Sequence, residues 1–257
     1  MKVKFTLLGC GYSMGVPRID GYFGECNPKE KKNYRTRCSA AISFKKKNFL
    51  IDTSPDIKYQ LLQNKIKNVD GVFYTHCHAD QTHGINDLRV FYLKKMKRIP
   101  IYADKNTRKY LLKNFRYCFA KNSEYPPTLK MNDLKKINKI KVDSSFISLE
   151  SVHVEHGKID CIAYIINKKL GYASDISKIY KKDLKKFYNL KFFIVDCLRY
   201  KHHYSHFNFD KVLELVKIIK PKLTILTNLN TEMDYLKLKK KLPKNIVPGY
   251  DGMKFSI

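Results

Sequence analysis

Three histidines and one aspartate lie within eight residues of the chain. His76 and His78 are two residues apart, Asp80 follows two residues later, and His83 ends the group. Neutral imidazole and carboxylate are the groups that zinc, manganese and iron accept as ligands. Two imidazoles at this spacing can face one cation, and the carboxylate can reach an adjacent one. The segment predicts a divalent metal site, and its alternative is a surface cluster of histidines.

Polar residues that follow predicted strands should stand near this segment. Residues 69–75 have the composition of a strand, which delivers the first two histidines at its carboxyl end. Other predicted strands finish on polar residues, namely Asp52, Asp175, Asp196 and Asn228. Loops that leave strand ends are where α/β folds commonly place chemistry. One site assembled from distant segments is therefore expected.

Strands and helices alternate along the chain, which is typical of an α/β layer architecture. Further predicted elements are strands at 4–8, 39–44, 48–52, 161–166, 170–173, 192–195 and 223–226 and helices at 54–65 and 209–219. Residues 22–37 are polar and irregular and predict a surface loop. No low-complexity segment or long linker divides the 257 residues, so we expect one domain over 1–257.

The chain is strongly basic. Lysine and arginine number 51 against 23 aspartates and glutamates, a formal charge of +28. Such an excess favours polyanions, such as RNA or phosphorylated metabolites. The lysines are scattered in pairs and triplets, which is also typical of solvated surface positions. Nucleic-acid binding stays open on this basis.

Apolar runs and cysteines indicate the compartment. No run approaches the roughly 20 residues that span a bilayer, and the first apolar stretch is shorter than the roughly 7–15 residues of a signal peptide. We expect a cytoplasmic protein with no membrane contact. The seven cysteines form no CxxC pair and should be reduced thiols. Cys10, Cys26 and Cys38 are buried apolar residues or ligands of a structural ion.

Five motifs resemble those of the metallo-β-lactamase superfamily, in the order of that family and over almost the whole chain. They are Asp52, the segment from His76 to Asp80, His156-Gly157, Ser174-Asp175 and a residue after strand 223–226. The resemblance implies a four-layer αββα sandwich of the α/β class and a metal-dependent hydrolase. Shorter motifs are similar to the branch that includes the phosphoribosyl cyclic phosphate phosphodiesterase: residues 8–11, 15–17, 84–89, 204–207 and 250–252.

The resemblance implies a ligand set for a first zinc or manganese ion. It places this ion on His76, His78 and His156, with Asp175 bridging to a second ion. His153 is a rival for the third histidine, but His156 has the glycine that follows it in the family.

A second ion would take Asp80 and the bridging carboxylate, and the family supplies two further histidines. This chain has Gln81 and Asn228 at those positions. Amide carbonyls are weak ligands that suit hard cations better than zinc. The chain therefore holds one or two ions. His83 or His206 is a candidate for a replacement imidazole.

Roles for the remaining residues are weaker inferences. Asp80 and His206 are the expected catalytic residues; His206 would stabilise a phosphate or protonate the leaving oxygen, or it is a solvated loop histidine. Asp52 would orient a ligand. Arg89 and Arg199 would bind a substrate phosphate, or form internal salt bridges.

The expected function is hydrolysis of a small or cyclic phosphodiester by metal-bound hydroxide. The expected partner is a small phosphorylated substrate, while nucleic acid and a homodimer stay open. An RNA-processing nuclease of the same superfamily and a non-catalytic ligand-binding relative are the alternatives.

Overall fold

The computed structural model describes residues 2–121 and 125–257. Its strands are β1 Lys4–Gly9, β2 Ser39–Phe44, β3 Lys47–Ile51, β4 Gly71–Phe73, β5 Ile99–Ala103, β6 Leu129–Asp133, β7 Ile137–Val142, β8 Ser145–His156, β9 Ile159–Ile166, β10 Leu170–Ala173, β11 Lys178–Ile179, β12 Phe192–Asp196, β13 Leu223–Thr227, β14 Ile246–Pro248 and β15 Met253–Ser256. Its helices are α1 Ile57–Gln63, α2 Ala79–Thr82, α3 Arg89–Lys95, α4 Lys105–Asn114, α5 Arg116–Phe119, α6 Lys181–Leu184, α7 Phe209–Ile219 and α8 Tyr235–Lys241.

Two sheets face each other in this part of the chain. The first has the order β15-β1-β2-β3-β4-β5-β6. The second has the order β11-β8-β9-β10-β12-β13-β14, with β7 paired to β8. Strands β3 to β6 run parallel, and so do β10, β12, β13 and β14. The carboxyl ends of parallel neighbours lie at one edge of a sheet, so each sheet offers one edge on which polar residues can collect.

Apolar side chains fill three layers. Phe5 and Phe73 of the first sheet meet Tyr164 and Tyr172 of the second in the central layer. The outer face of the first sheet packs under α1, α3 and α4, and that of the second under α7 and α8. Burying one large apolar side chain contributes roughly 1.5–3 kcal/mol. These layers form the predicted αββα sandwich.

A close backbone approach fixes the histidine segment against α1. A Cβ atom on Gly84 would lie 2.1 Å from the carbonyl oxygen of Ser54. The backbone of Gly84 also donates to the Thr53 carbonyl oxygen at 2.9 Å. Only glycine allows this close contact, which holds α2 beside the start of α1.

The predicted surface loop at residues 22–37 is irregular, apart from a single 3-10 turn at Lys31–Asn33, but it is anchored by a buried arginine. Arg35 donates to the carbonyl oxygen of Met233 at 2.7 Å, to that of Asn230 at 3.3 Å and to Asn33 Oδ1 at 3.1 Å. The loop is thereby tied to the segment that follows β13.

Among the described helices, none is long and apolar enough to cross a membrane.

Candidate metal centre

Three imidazoles converge at one edge of the sandwich. His76 follows β4, His78 precedes α2, and His156 ends β8. His76 Nε2 and His78 Nδ1 lie 3.0 Å apart. The ring centroid of His156 lies 5.1 Å from that of His76 and 5.2 Å from that of His78. One nitrogen from each ring lies within 4.8 Å of the other two, so the three can hold one ion.

A hydrogen-bond chain orients the His76 ring. The Thr75 backbone N–H donates to Asp52 Oδ1, and the Thr75 hydroxyl donates to Asp52 Oδ2, both at 2.8 Å. The hydroxyl has then used its proton and accepts from His76 Nδ1–H at 3.0 Å. Burial raises the pKa of Asp52, whereas a nearby cation favours its ionised form. His76 therefore presents the lone pair of Nε2 to the cluster.

The His156 ring is oriented by the backbone. Its Nδ1–H donates to the carbonyl oxygen of Ser205 at 2.7 Å. This leaves the lone pair of Nε2 free to face the other imidazoles. Partners of this kind hold metal-binding histidines in the required tautomer.

Replacing Thr75 with valine is expected to weaken metal binding about 10–100-fold. Valine has nearly the same shape but no acceptor for His76 Nδ1–H, so the ring loses its fixed tautomer. Thr75→Ser keeps the hydroxyl and should retain metal affinity. Competition against a zinc-sensitive dye measures both variants, and equal affinities for the two would show that the hydroxyl has no orienting role.

Burial keeps His76 and His78 neutral. It lowers the pKa of His76 to about 3, and it also lowers the pKa of His78. A neutral imidazole is the form that binds a cation. These two histidines can therefore bind metal at neutral pH without first losing a proton.

Two carboxylates stand beside the imidazoles. Asp175 follows β10, is buried, and has an oxygen within 4.8 Å of ligand nitrogens of His156 and His206. Burial alone would raise the pKa of Asp175, but the imidazoles around it lower it. Burial and the Asp175 charge raise the pKa of Asp80 to about 6. The Asp175 carboxyl group is therefore ionised more readily than that of Asp80.

His206 pairs with the aspartate at the end of β12. Its Nδ1 lies 2.6 Å from Asp196 Oδ2, which also accepts from the backbone N–H of Ile176 at 3.1 Å. Burial lowers the pKa of His206, but the Asp196 carboxylate outweighs this and raises it to about 9. His206 is therefore a cation at neutral pH. Sequence alone left Asp196 without a role.

A profile of the beta-lactamase superfamily domain matches residues 47–227, more than half of the chain. The chain belongs to the beta-lactamase superfamily. It resembles a diphosphatase of the PhnP family, with 28% identity, full coverage of this chain, 98% of that chain and a TM-score of 0.89. Zinc-bound PqqB from Methylobacterium extorquens shares the fold, with 14% identity, 99% and 100% coverage and a TM-score of 0.78.

A curated relative is longer than this chain. An octanoyltransferase of Porphyromonas gingivalis is 29% identical over 261 residues, which cover 98% of this chain and 51% of the relative. The chain thus spans about half the length of that protein. The octanoyltransferase activity in its name belongs to that full-length protein.

The first metal position of the superfamily fits this chain. Three imidazoles form a nitrogen donor set, and the Asp175 carboxylate lies beside one of them, His156; nitrogen and oxygen donors of this kind suit zinc or manganese. Zinc takes four such ligands at about 2.0–2.2 Å, or three with an open position for chemistry.

A small polar cleft of about 470 Å³ opens over the centre. Asp80, Asp175, His206, Arg18 and Arg199 are among the residues that line it. The guanidinium of Arg18 pairs with Asp20. The guanidinium of Arg199 donates to the carbonyl oxygens of Lys201 and His202, so it also shapes the loop before His206. Arg18 was not predicted as a site residue because it belongs to no recognisable motif.

Other predicted site residues lie elsewhere. Arg89 is exposed, its guanidinium lies 4.9 Å from the Tyr125 ring centroid, and it is not among the described residues that line the cleft. His153 is exposed on β8, three residues before His156. His83 is exposed and bonds the Tyr110 hydroxyl at 3.0 Å. Within residues 2–121 and 125–257, no potential ligand group includes Cys10, Cys26 or Cys38, all of which are buried.

Proposed function

We propose that this chain is a metal-dependent phosphodiesterase for a small or cyclic phosphodiester. The observation that carries the proposal is the convergence of three imidazoles beside a small cleft that Asp175 and the cationic His206 line. A divalent ion, an anionic substrate and a proton donor would meet there. Hydrolysis of a phosphodiester with an alkoxide leaving group draws on both the ion and the proton donor.

Each group has a separate task. When bound, the ion acts as a Lewis acid on the phosphoryl oxygen and lowers the pKa of a water molecule to about 7. Arg18 and Arg199 attract the substrate anion to the cleft. The protonated ring of His206 can donate to the leaving oxygen, because Asp196 holds its other nitrogen.

The size of the cleft favours a small substrate. At about 470 Å³ it lies in the range of ligand pockets, roughly 300–1,000 Å³, and holds one compact phosphate ester. The PhnP-family relative is a diphosphatase at 28% identity, so a small diphosphate ester is a second substrate of the same chemistry.

The test compares metal-free with zinc- or manganese-loaded protein on three probes. They are bis(p-nitrophenyl) phosphate, the cyclic phosphate of glycerol and a single-stranded RNA oligonucleotide. We expect metal-dependent hydrolysis of the two small esters, with the cyclic ester preferred. Arg89→Ala is the matched control for Arg18→Ala, because its guanidinium does not line the cleft; only Arg18→Ala should raise KM.

Each alternative predicts a different result. A nuclease would prefer RNA, and its binding would weaken steeply with salt because phosphate contacts release counterions. A non-catalytic relative would bind metal and turn over none of the three probes. Hydrolysis that is unaffected by chelation would contradict the proposal.

A further inference from the structure

We propose that the side-chain amides of Gln81 and Asn228 replace the second metal ion, so that this chain works with a single catalytic ion. The inference deepens the proposed function and rests on it for the first ion. Its test counts ions and needs no activity. Three observations support it: the direction of each amide, the use of both Asp175 oxygens, and the sharing of His156 between the two groups of potential ligands.

The Gln81 amide bridges two carboxylates. Its Nε2 lies 3.3 Å from Asp80 Oδ2 and 3.3 Å from Asp175 Oδ2. Ionised carboxylate oxygens only accept hydrogen bonds. Turning the amide over would set its carbonyl oxygen against two anions. The N–H₂ group therefore faces the carboxylates, where a cation would otherwise lie.

The Asn228 amide is fixed in the same way. Its Nδ2 lies 3.0 Å from the carbonyl oxygen of Ser174 and 3.2 Å from Asp175 Oδ1. These two neighbours are acceptors, and a third, His206 Nδ1 at 3.2 Å, is already paired with Asp196, so the amide presents its N–H₂ group to Ser174 and Asp175. Asn228 follows β13 with a φ of 59°, a left-handed conformation that asparagine tolerates and that turns the side chain back toward the site.

Both Asp175 oxygens thus receive an amide donor. Oδ1 accepts from Asn228 and Oδ2 accepts from Gln81. The positive ends of two amides offset the charge of the carboxylates without an ion. The carbonyl oxygen Oε1 of Gln81 is buried and has no hydrogen-bond partner among the described residues. The amide is therefore oriented so that its N–H₂ group bonds the carboxylates, although this leaves its own oxygen without a donor.

A second ion would have to reverse this arrangement. Gln81 and Asn228 would turn over, give up their charge-assisted hydrogen bonds and offer only neutral carbonyl oxygens in return. Such oxygens suit calcium, magnesium or manganese and bind zinc poorly. An ion placed between Asp80 and Asp175 would therefore compete with donors that are already in position.

The second group of potential ligands cannot hold an ion beside the first. His156, Asp175 and His206 have ligand atoms within 4.8 Å of one another, which outlines another metal-sized group. His156 has one inward lone pair, however, because its Nδ1–H donates to Ser205, and the first ion uses it. His206 Nδ1 is engaged by Asp196 at 2.6 Å. The group shares its ligand with the first ion and cannot hold another.

Elemental analysis and cobalt titration test the inference. Native chain, stripped and re-equilibrated with zinc or manganese, should hold about one ion, and cobalt absorption should saturate at about one equivalent. Gln81→His with Asn228→His should raise the count to about two. Gln63→His with Asn106→His, both exposed, is the matched control and should leave the count at about one.

The outcomes separate this inference from the proposed function. About two ions on the native chain, with either metal, would overturn the inference and leave phosphodiesterase activity standing. One ion without hydrolysis of any probe would overturn the function and leave the inference standing. An unchanged count in a folded histidine variant, or no ion on the native chain, would also overturn the inference. The native titration decides the matter even where the variant does not fold.

Discussion

Replacing His156 with alanine is expected to remove the bound ion and lower kcat/KM for bis(p-nitrophenyl) phosphate about 10³-fold. The ring belongs to both clusters of potential ligands found among the described residues, so its removal leaves neither cluster complete. Losing the Lewis acid removes several kcal/mol of transition-state stabilisation, and about 4 kcal/mol corresponds to about 10³-fold. Metal content and steady-state rates at saturating zinc measure the two effects together.

The matched control is His153→Ala. Both histidines lie on β8, but His153 is exposed whereas His156 is buried in the site. The control should retain about one ion per chain and near-native activity. If the His156 variant kept its ion while the His153 variant lost it, the assignment of the third imidazole would be reversed.

The centre could be outlined from sequence because its ligands are marked by local spacing. The spacing within five residues identifies His76, His78 and Asp80, and the family resemblance identifies His156 and Asp175. The pairing of Asp196 with His206 could not be predicted, because it joins a strand end to a loop ten residues later. Nor does any local pattern say which way a buried amide such as Gln81 points.

The fold was predicted best where a strand or helix is apolar and sharply bounded. The strand at Ser39–Phe44 and the helix at Phe209–Ile219 have the predicted bounds. The predicted strand 69–75 is shorter, Gly71–Phe73, because the residues after it leave the ladder to carry the histidines. Strands β5 to β8, β11, β14 and β15 were not predicted. Strands β6 and β7 carry lysines on half-exposed edges, which hides the alternation that identifies a strand.

Replacing His206 with glutamine is expected to lower kcat for the cyclic phosphate of glycerol about 10²–10³-fold without changing metal content. The alkoxide that leaves from this ester needs a proton, and His206 supplies it. The nitrophenolate that leaves from bis(p-nitrophenyl) phosphate is a weak base and needs none, so that rate should fall far less. His202→Gln, an exposed neighbour in the same loop, is the control and should leave both rates unchanged.

The pH profile distinguishes proton donation from a merely structural role for His206. A proton donor works only while protonated, so activity is present below its pKa and is lost as the pH rises through it. Asp196 raises that pKa to about 9 against the lowering effect of burial, and the charge of a bound ion opposes the rise. The alkaline limb of kcat/KM should therefore fall between about 6.5, the ordinary value for histidine, and about 9. Asp196→Asn removes the counter-charge and should move the limb to lower pH; an unmoved limb, or equal losses on both esters in His206→Gln, would rule out proton donation by His206.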